Sequence, residues 1–251
     1  MKTPRSQLSR YDSSSVHYRD RNLVEDLLGQ ASFIDVFAYQ ALNRQIDAAE
    51  RTVIEAVLIC LMEHGLTPSA IAARMVYSSS PENIQAGVAA GLLAVGSRFV
   101  GTMEGCAALL ENIVADPDPE GRAQAIAAGH RDRRSPVPGF GHHLHKPDDP
   151  RAAALLDLAE RVGTAGPHAD ALRCLARQVD HVAGRHITIN ATGAVAALLG
   201  DIGVPVRLMR GFAVLARAAG LIAHIAEEQL DPSDRFVWAL VDGAMSSQDM
   251  D

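Results

Sequence analysis

Aromatic side chains are almost missing from this 251-residue chain: Phe, Tyr and Trp supply 4% of it, with one tryptophan. Its 48% of hydrophobic residues must therefore build a core from Ala, Leu, Val and Ile. Alanine and leucine are strong helix formers, so the scarcity points to an all-α protein. Cysteine is scarce too. Cys60, Cys106 and Cys174 are odd in number and widely spaced, which argues against a secreted disulfide framework and offers no paired metal-ligand spacing. The reading is three thiols in a reducing cytosol. No run reaches the ~18 apolar residues of a membrane span, and the N-terminal stretch has no apolar signal core. A cytoplasmic protein with no membrane partner is expected. There is no internal repeat, no alternating strand pattern and no Gly-rich phosphate loop. Positive charge is also in deficit: the formal net charge is −7, which argues against nucleic acid as a partner yet leaves room for a local basic pocket.

What is present is a succession of helical patterns. Residues 1–20 are polar and read as a loose N-terminal arm. Leu23, Leu27 and Leu28 then share a helical face. Asp47 and Glu50 form a capping box for a helix running to His64-Gly65. Thr67-Pro68-Ser69 launches another, and Pro81-Glu82 begins a third, in which Gly87 and Gly91 suit close helix contact. Gly96 to Gly101 is a bend, followed by a helix from about Thr102 to Val114. Asp116-Pro117-Asp118-Pro119 reads as a linker-like turn. Helices are expected over Pro150–Val162, Ala169–Val182, Thr192–Leu199, and as one or two pieces over Pro205–Gln229. Arg185 to Asn190 is the only β-like patch.

The segment Val137-Pro138-Gly139-Phe140-Gly141-His142-His143-Leu144-His145-Lys146-Pro147-Asp148-Asp149-Pro150-Arg151 carries the chemistry. Glycines let backbone N–H groups approach a ligand. Histidine moves protons near neutral pH, and arginine offers a fixed fork for a carboxylate. The combination suits acid–base chemistry on a carboxylated substrate.

From about Leu23 onward the chain resembles the citrate synthase superfamily, and within it the citryl-CoA lyase branch, the module that ends ATP-citrate lyase. The resemblance rests on Glu63-His64-Gly65, Gly96-Ser97-Arg98-Phe99-Val100-Gly101, Pro138-Gly139-Phe140-Gly141-His142 with Asp149-Pro150-Arg151, Asn190-Ala191-Thr192-Gly193, and Arg217 through His224. It implies an all-α, homodimeric citrate synthase-like fold. A large helical domain (21–104 and 191–251) would close on a smaller one (105–190) that carries the His142 loop. It also implies cleavage of citryl-CoA to acetyl-CoA and oxaloacetate, or the reverse condensation.

On that resemblance His64 matches a histidine that bonds to, or takes a proton from, the carbinol oxygen, and His142 one that moves the proton of the keto or carbinol oxygen. Arg151, Arg217 and Arg235 match carboxylate-binding arginines, Arg235 reaching into a partner subunit. Coenzyme A would lie against Val137, Pro138, Gly139, Phe140 and Gly141, with Lys146, Arg185 and Arg98 as candidates for its phosphates or the cleft edge. No cofactor beyond the coenzyme A thioester is implied. The partners expected are an acyl-CoA, a carboxylic acid and a second copy of the chain.

Three positions depart from the family pattern. Phe99 stands where citrate synthases carry a histidine, as it does in the lyase branch. Thr192 stands where the family has a catalytic aspartate and can offer only a hydroxyl. Glu104 is then the nearest carboxylate by family position. His143 replaces an arginine, with His145 as partial substitute. The three loop histidines also raise a metal reading, but no acidic or cysteine partner stands out in the sequence, and no metal is expected. The leading expectation is a carbon–carbon lyase acting on a carboxylated 3-hydroxyacyl-CoA. The alternatives are a condensing or hydrolysing relative with another substrate, and a non-catalytic paralogue that binds coenzyme A or a tricarboxylate.

Overall fold

The computed structural model describes residues 5–96 and 101–245. Strands β1 (Ser9–Tyr11), β2 (Val16–Tyr18) and β3 (Arg21–Asn22) lead into a π-helical turn, Leu23–Leu27. Helices α1 (Phe33–Leu42), α2 (Ala48–Met62), α3 (Pro68–Ser79), α4 (Ile84–Leu93), α5 (Gly101–Val114) and α6 (Pro119–Asp132) follow. After the histidine-rich loop come α7 (Pro150–Val162), α8 (Pro167–Ala183), α9 (Ala191–Asp201), α10 (Val206–Leu230) and α11 (Asp234–Ala244). The fold is helical, as the composition requires.

Several local expectations need correction. The N-terminal arm is not loose from Ser9 onward: β1, β2 and β3 form an antiparallel meander, with Ser9 opposite Tyr18 and His17 opposite Asn22. Strands of two or three residues are too short for an alternating pattern to register. The β-like patch at Arg185–Asn190 contributes one bridge, Ile189 opposite Phe140. Asp118 and Pro119, read as part of a linker-like turn, open a full helix that was not foreseen: Asp118 caps Gly121 N at 3.0 Å and Pro119 takes the first position. α4 begins at Ile84, behind Asn83, rather than at Pro81. Of the one or two pieces expected over Pro205–Gln229, the structure has one, the continuous helix Val206–Leu230.

Two helices organise the rest. α9 is apolar all round, and Ala191 and Gly193 through Leu199 are buried; such a helix belongs inside a core. It packs on α5, α7 and α8, so residues 191–201 lie with elements expected in the smaller unit. α10 packs against α2, α3, α4 and α5. It is 25 residues long and contains an 18-residue stretch of mean hydropathy 1.4, so it is long and apolar enough, by length and composition alone, to cross a bilayer. Here Met209, Phe212, Ala213, Ala216, Leu221 and Ile225 turn into the protein. The glycine pair of α4 does allow close helix contact: a Cβ on Gly87 would stand 2.9 Å from Ile225 Cδ1, and one on Gly91 2.6 Å from Leu221 Cδ1. α10 approaches the end of α2 even more closely. A Cβ on Gly220 would fall 2.1 Å from the Met62 carbonyl oxygen, which fixes where α2 ends and where Glu63-His64-Gly65 begins.

Candidate active site

Two chain segments far apart in sequence converge. His64 follows the end of α2, His142 lies in the loop before α7, and Arg151 is in the first turn of α7. Arg151 Nη1 stands 3.5 Å from His64 Nδ1, and Nη2 stands 3.3 Å from His142 Nε2. The His64 and His142 rings are 6.1 Å apart, near edge-to-face. His143 and His145 stack on His142 at 4.7 and 4.4 Å.

Asp149 holds this group together, and the sequence did not single it out as a site residue. It caps α7, accepting from Arg151 N at 3.0 Å, and also accepts from Ala191 N at the start of α9 at 3.2 Å. The N-termini of two helices thus meet on one buried carboxylate, an arrangement helix dipoles favour. Arg151 closes it with Nε at 3.0 Å and Nη2 at 2.8 Å. Burial opposes ionisation, yet the Arg151 fork and these amides hold the Asp149 carboxyl below its usual range. The signal available beforehand was an aspartate immediately before a helix-opening proline.

His142 Nδ1 accepts from Leu144 N at 3.2 Å and His145 N at 3.0 Å. A neutral ring therefore carries its proton on Nε2, beside Arg151 Nη2. Both atoms are then donors 3.3 Å apart, and neither can accept from the other, so the pair is suited to an oxygen that accepts from each. Burial first, then the nearby cationic groups, lowers both imidazole pKa values from 6.5; Arg151 acts on both and Arg217 on His64. A lowered folded value means that the unfolded chain binds more protons just below pH 6.5. The stabilisation is complete above 6.5 and is lost as pH falls through the lowered values. Activity that needs both rings neutral should be level above pH 6.5 and decline below it. A pH–rate profile with its acidic limb centred above pH 7 would contradict this arrangement.

The loop itself is held by backbone. Gly141 N donates to Thr188 O at 2.7 Å, Asn190 N to Gly139 O at 3.0 Å, and Asn190 Nδ2 to Gly141 O at 3.0 Å. Gly139, at φ +87°, has no room for a side chain: a Cβ would lie 2.5 Å from Cys106 Sγ. Much of the polar backbone of residues 137–141 is thereby engaged within the protein, Phe140 N bonding Val137 O at 3.2 Å. His186 braces the far side of the loop, 3.0 Å from Asp148 and 2.7 Å from Asp180, and these carboxylates raise its pKa.

The remaining candidates are distributed as follows. Arg217 is largely buried on α10, its Nη1 3.8 Å from Glu63 Oε2. Thr192 donates to Asn190 Oδ1 at 2.7 Å and lies 3.2 Å from the Thr102 hydroxyl. Glu104 is ion-paired with Arg210 of α10. It lies two residues beyond Thr102, about 200° around the helix from it, so it faces away from Thr192. His143, Lys146 and Arg185 are exposed, while Val137 and Pro138 are half-buried. Arg235 is exposed on α11, which packs on α3 rather than on the elements carrying the histidines. Arg98 and Phe99 lie outside the described residues.

The acidic partner missing from the metal reading does exist in space: His142, His145 and Asp149 bring ligand atoms within 4.8 Å of one another. The Arg151 Nη2 group, between His142 and Asp149, already puts a cation there.

Residues 6–237 match the model of the citrate synthase C-terminal domain. A solved citryl-CoA lyase from Hydrogenobacter thermophilus is similar over 92% of this chain and 88% of its own, with 29% identity and a TM-score of 0.84. An ATP citrate lyase of Methanosaeta concilii, solved with (3S)-citryl-CoA, shares the fold over 94% of this chain and 42% of its own, with 20% identity and a TM-score of 0.74. A citrate synthase of Acidithiobacillus ferridurans is 26% identical over 78% of this chain and 51% of its own. The chain spans about half the length of the curated relatives it matches. With a family match over most of its length and a helical fold shared along almost all of a citryl-CoA lyase, this chain belongs to the citrate synthase family.

Proposed function

We propose that the chain is a citryl-CoA lyase-like enzyme that cleaves a carboxylated 3-hydroxyacyl-CoA. The observation that carries the reading is the convergence of His64 and His142 on Arg151, which Asp149 anchors. The near-full-length likeness to a citryl-CoA lyase supports it. In the cleavage, a base takes the proton of the 3-hydroxyl. The carbinol C–O becomes a carbonyl, the adjacent C–C bond breaks, and its electron pair enters the thioester enolate. Protonation of the enolate α-carbon then gives acetyl-CoA beside oxaloacetate. His142 Nε2 and the Nη1/Nη2 edge of Arg151, which faces the histidines while the Nε/Nη2 edge holds Asp149, are suited to the oxygen and carboxylate of the oxo-acid half, and His64 to its other edge. Arg217 extends the clamp. Coenzyme A would lie along residues 137–141, with Lys146 and Arg185 near its phosphates. A homodimer in which Arg235 completes the neighbouring site, closure of the two helical units, and a cytoplasmic setting belong to the same proposal.

Thr192 decides between this reading and a binding-only one. Its hydroxyl is tied to Asn190 and Thr102, and Glu104 to Arg210, so neither is free to protonate the enolate carbon. Mixing the protein with citryl-CoA and following oxaloacetate release tests the function. Release abolished by His142→Ala is expected. Thr192→Asp is expected to raise the rate on the order of 10²-fold, by returning a proton-carrying carboxylate. Citryl-CoA that binds but is not cleaved, with cleavage appearing in Thr192→Asp, would establish a binding paralogue instead.

A further inference from the structure

A buried polar cluster begins away from the catalytic group and ends on it. Arg74 of α3 is buried; its Nε donates to His224 Nδ1 on α10 at 3.2 Å, its Nη1 to Glu228 Oε2 at 2.9 Å, and a further N–H meets Glu227. Because Nδ1 accepts, a neutral His224 carries its proton on Nε2. That atom lies 2.9 Å from Glu63 Oε2, close but off the ideal hydrogen-bond line. The other carboxylate oxygen of Glu63 accepts from His64 N at 2.8 Å and Gly65 N at 2.5 Å. Glu63 directly follows α2, at the helix end whose dipole disfavours a negative charge. Helix electrostatics therefore do not account for the residue. The two amides and His224 outweigh burial and hold its carboxyl below the usual range.

We infer that Glu63 is a positioning residue: its carboxylate, backed by Arg74 through His224, fixes the His64-Gly65 backbone so that the His64 imidazole stands against Arg151. The inference rests on the reading of His64 as a substrate-binding group. The charged and titratable groups around that ring are Arg151, Arg217, His142, His143 and His145, with Glu63 as the acidic neighbour on its own segment.

Titration of the His64 ring by NMR in the full chain separates positioning from simple charge. Removing a nearby carboxylate lowers a histidine pKa by electrostatics alone. Releasing the ring from its place beside Arg151 and Arg217 raises it toward 6.5, because desolvation and both arginines depress it. Glu63→Ala is expected to raise the His64 pKa. Glu63→Gln, which removes the charge but keeps an acceptor oxygen for the two amides, is expected to leave it at or below the unaltered value. A fall or no change in Glu63→Ala, or equal behaviour of the two variants, would overturn the inference, whether or not the protein cleaves citryl-CoA.

Kinetics give a second readout. With citryl-CoA, Glu63→Ala should lower kcat by on the order of 10²-fold, the scale of a displaced catalytic group, with little change in KM. The double variant with His64→Ala should be no slower than His64→Ala alone. Inactive protein with a raised His64 pKa would sink the lyase reading alone. Active protein that depends on His64 but ignores Glu63→Ala would sink this inference alone.

Discussion

Arg151→Ala is expected to lower kcat/KM for citryl-CoA by about 10³-fold, from the loss of two charge-assisted hydrogen bonds to a carboxylate at roughly 1.5–3 kcal/mol each. The guanidinium touches His64, His142 and both oxygens of the buried Asp149. Its loss leaves Asp149 with the Arg151 and Ala191 amides alone. Arg151→Lys should rescue little, because a single ammonium cannot span two carboxylate oxygens and two imidazoles. Arg151 also lowers the pKa of both histidines. Removing it should therefore move the acidic limb of the pH–rate profile upward. Steady-state kinetics across pH measure both effects together. A variant with unchanged kcat/KM and an unmoved limb would mean that Arg151 neither holds substrate nor tunes the rings.

The largest stability loss is expected at Arg74. Its side chain is 5% exposed and that of Glu228, its partner at 2.9 Å, is 1% exposed. Glu228 also accepts from Ser233 N and Oγ, each at 2.7 Å, and from Ser78 Oγ at 3.1 Å. It is therefore held ionised, below its usual carboxylate range despite burial. Arg74→Leu removes the cation and leaves this charge buried, at a cost of about 3–5 kcal/mol. For a chain of this length that corresponds to a fall in Tm on the order of 10 °C. Replacing Glu228 by leucine in the same variant should recover much of the loss, since a buried pair exchanged for apolar side chains is often neutral. The depressed carboxyl contributes stability above pH 4.5 that fades as pH drops through its lowered value. Denaturant unfolding measures this. A loss below about 1 kcal/mol would class the pair with exposed ones.

Much of the helical frame was legible beforehand because its signals are local. The Asp47–Glu50 capping box, Thr67-Pro68 and Asp149-Pro150 each mark a helix start by side-chain geometry within four residues. The N-terminal meander was not legible, since its strands are shorter than one period of any pattern can reveal. α6 was hidden behind an Asp-Pro-Asp-Pro run that serves equally as a turn and as a cap with a first-position proline.

The chain by itself determined that the protein would be helical. Alanine and leucine in place of aromatics leave little else to build with, and composition acts on every residue alike. It also determined which side chains could do acid–base chemistry, because residue type fixes proton affinity and fork geometry. Only the tertiary structure decided that Asp149 would also take the Ala191 amide of α9, that Glu104 would be taken by Arg210, and that Glu63 would face His224 from 161 positions away. Those outcomes depend on how helices pack, and packing is set by close approaches such as Gly220 against Met62 that no local stretch of sequence encodes.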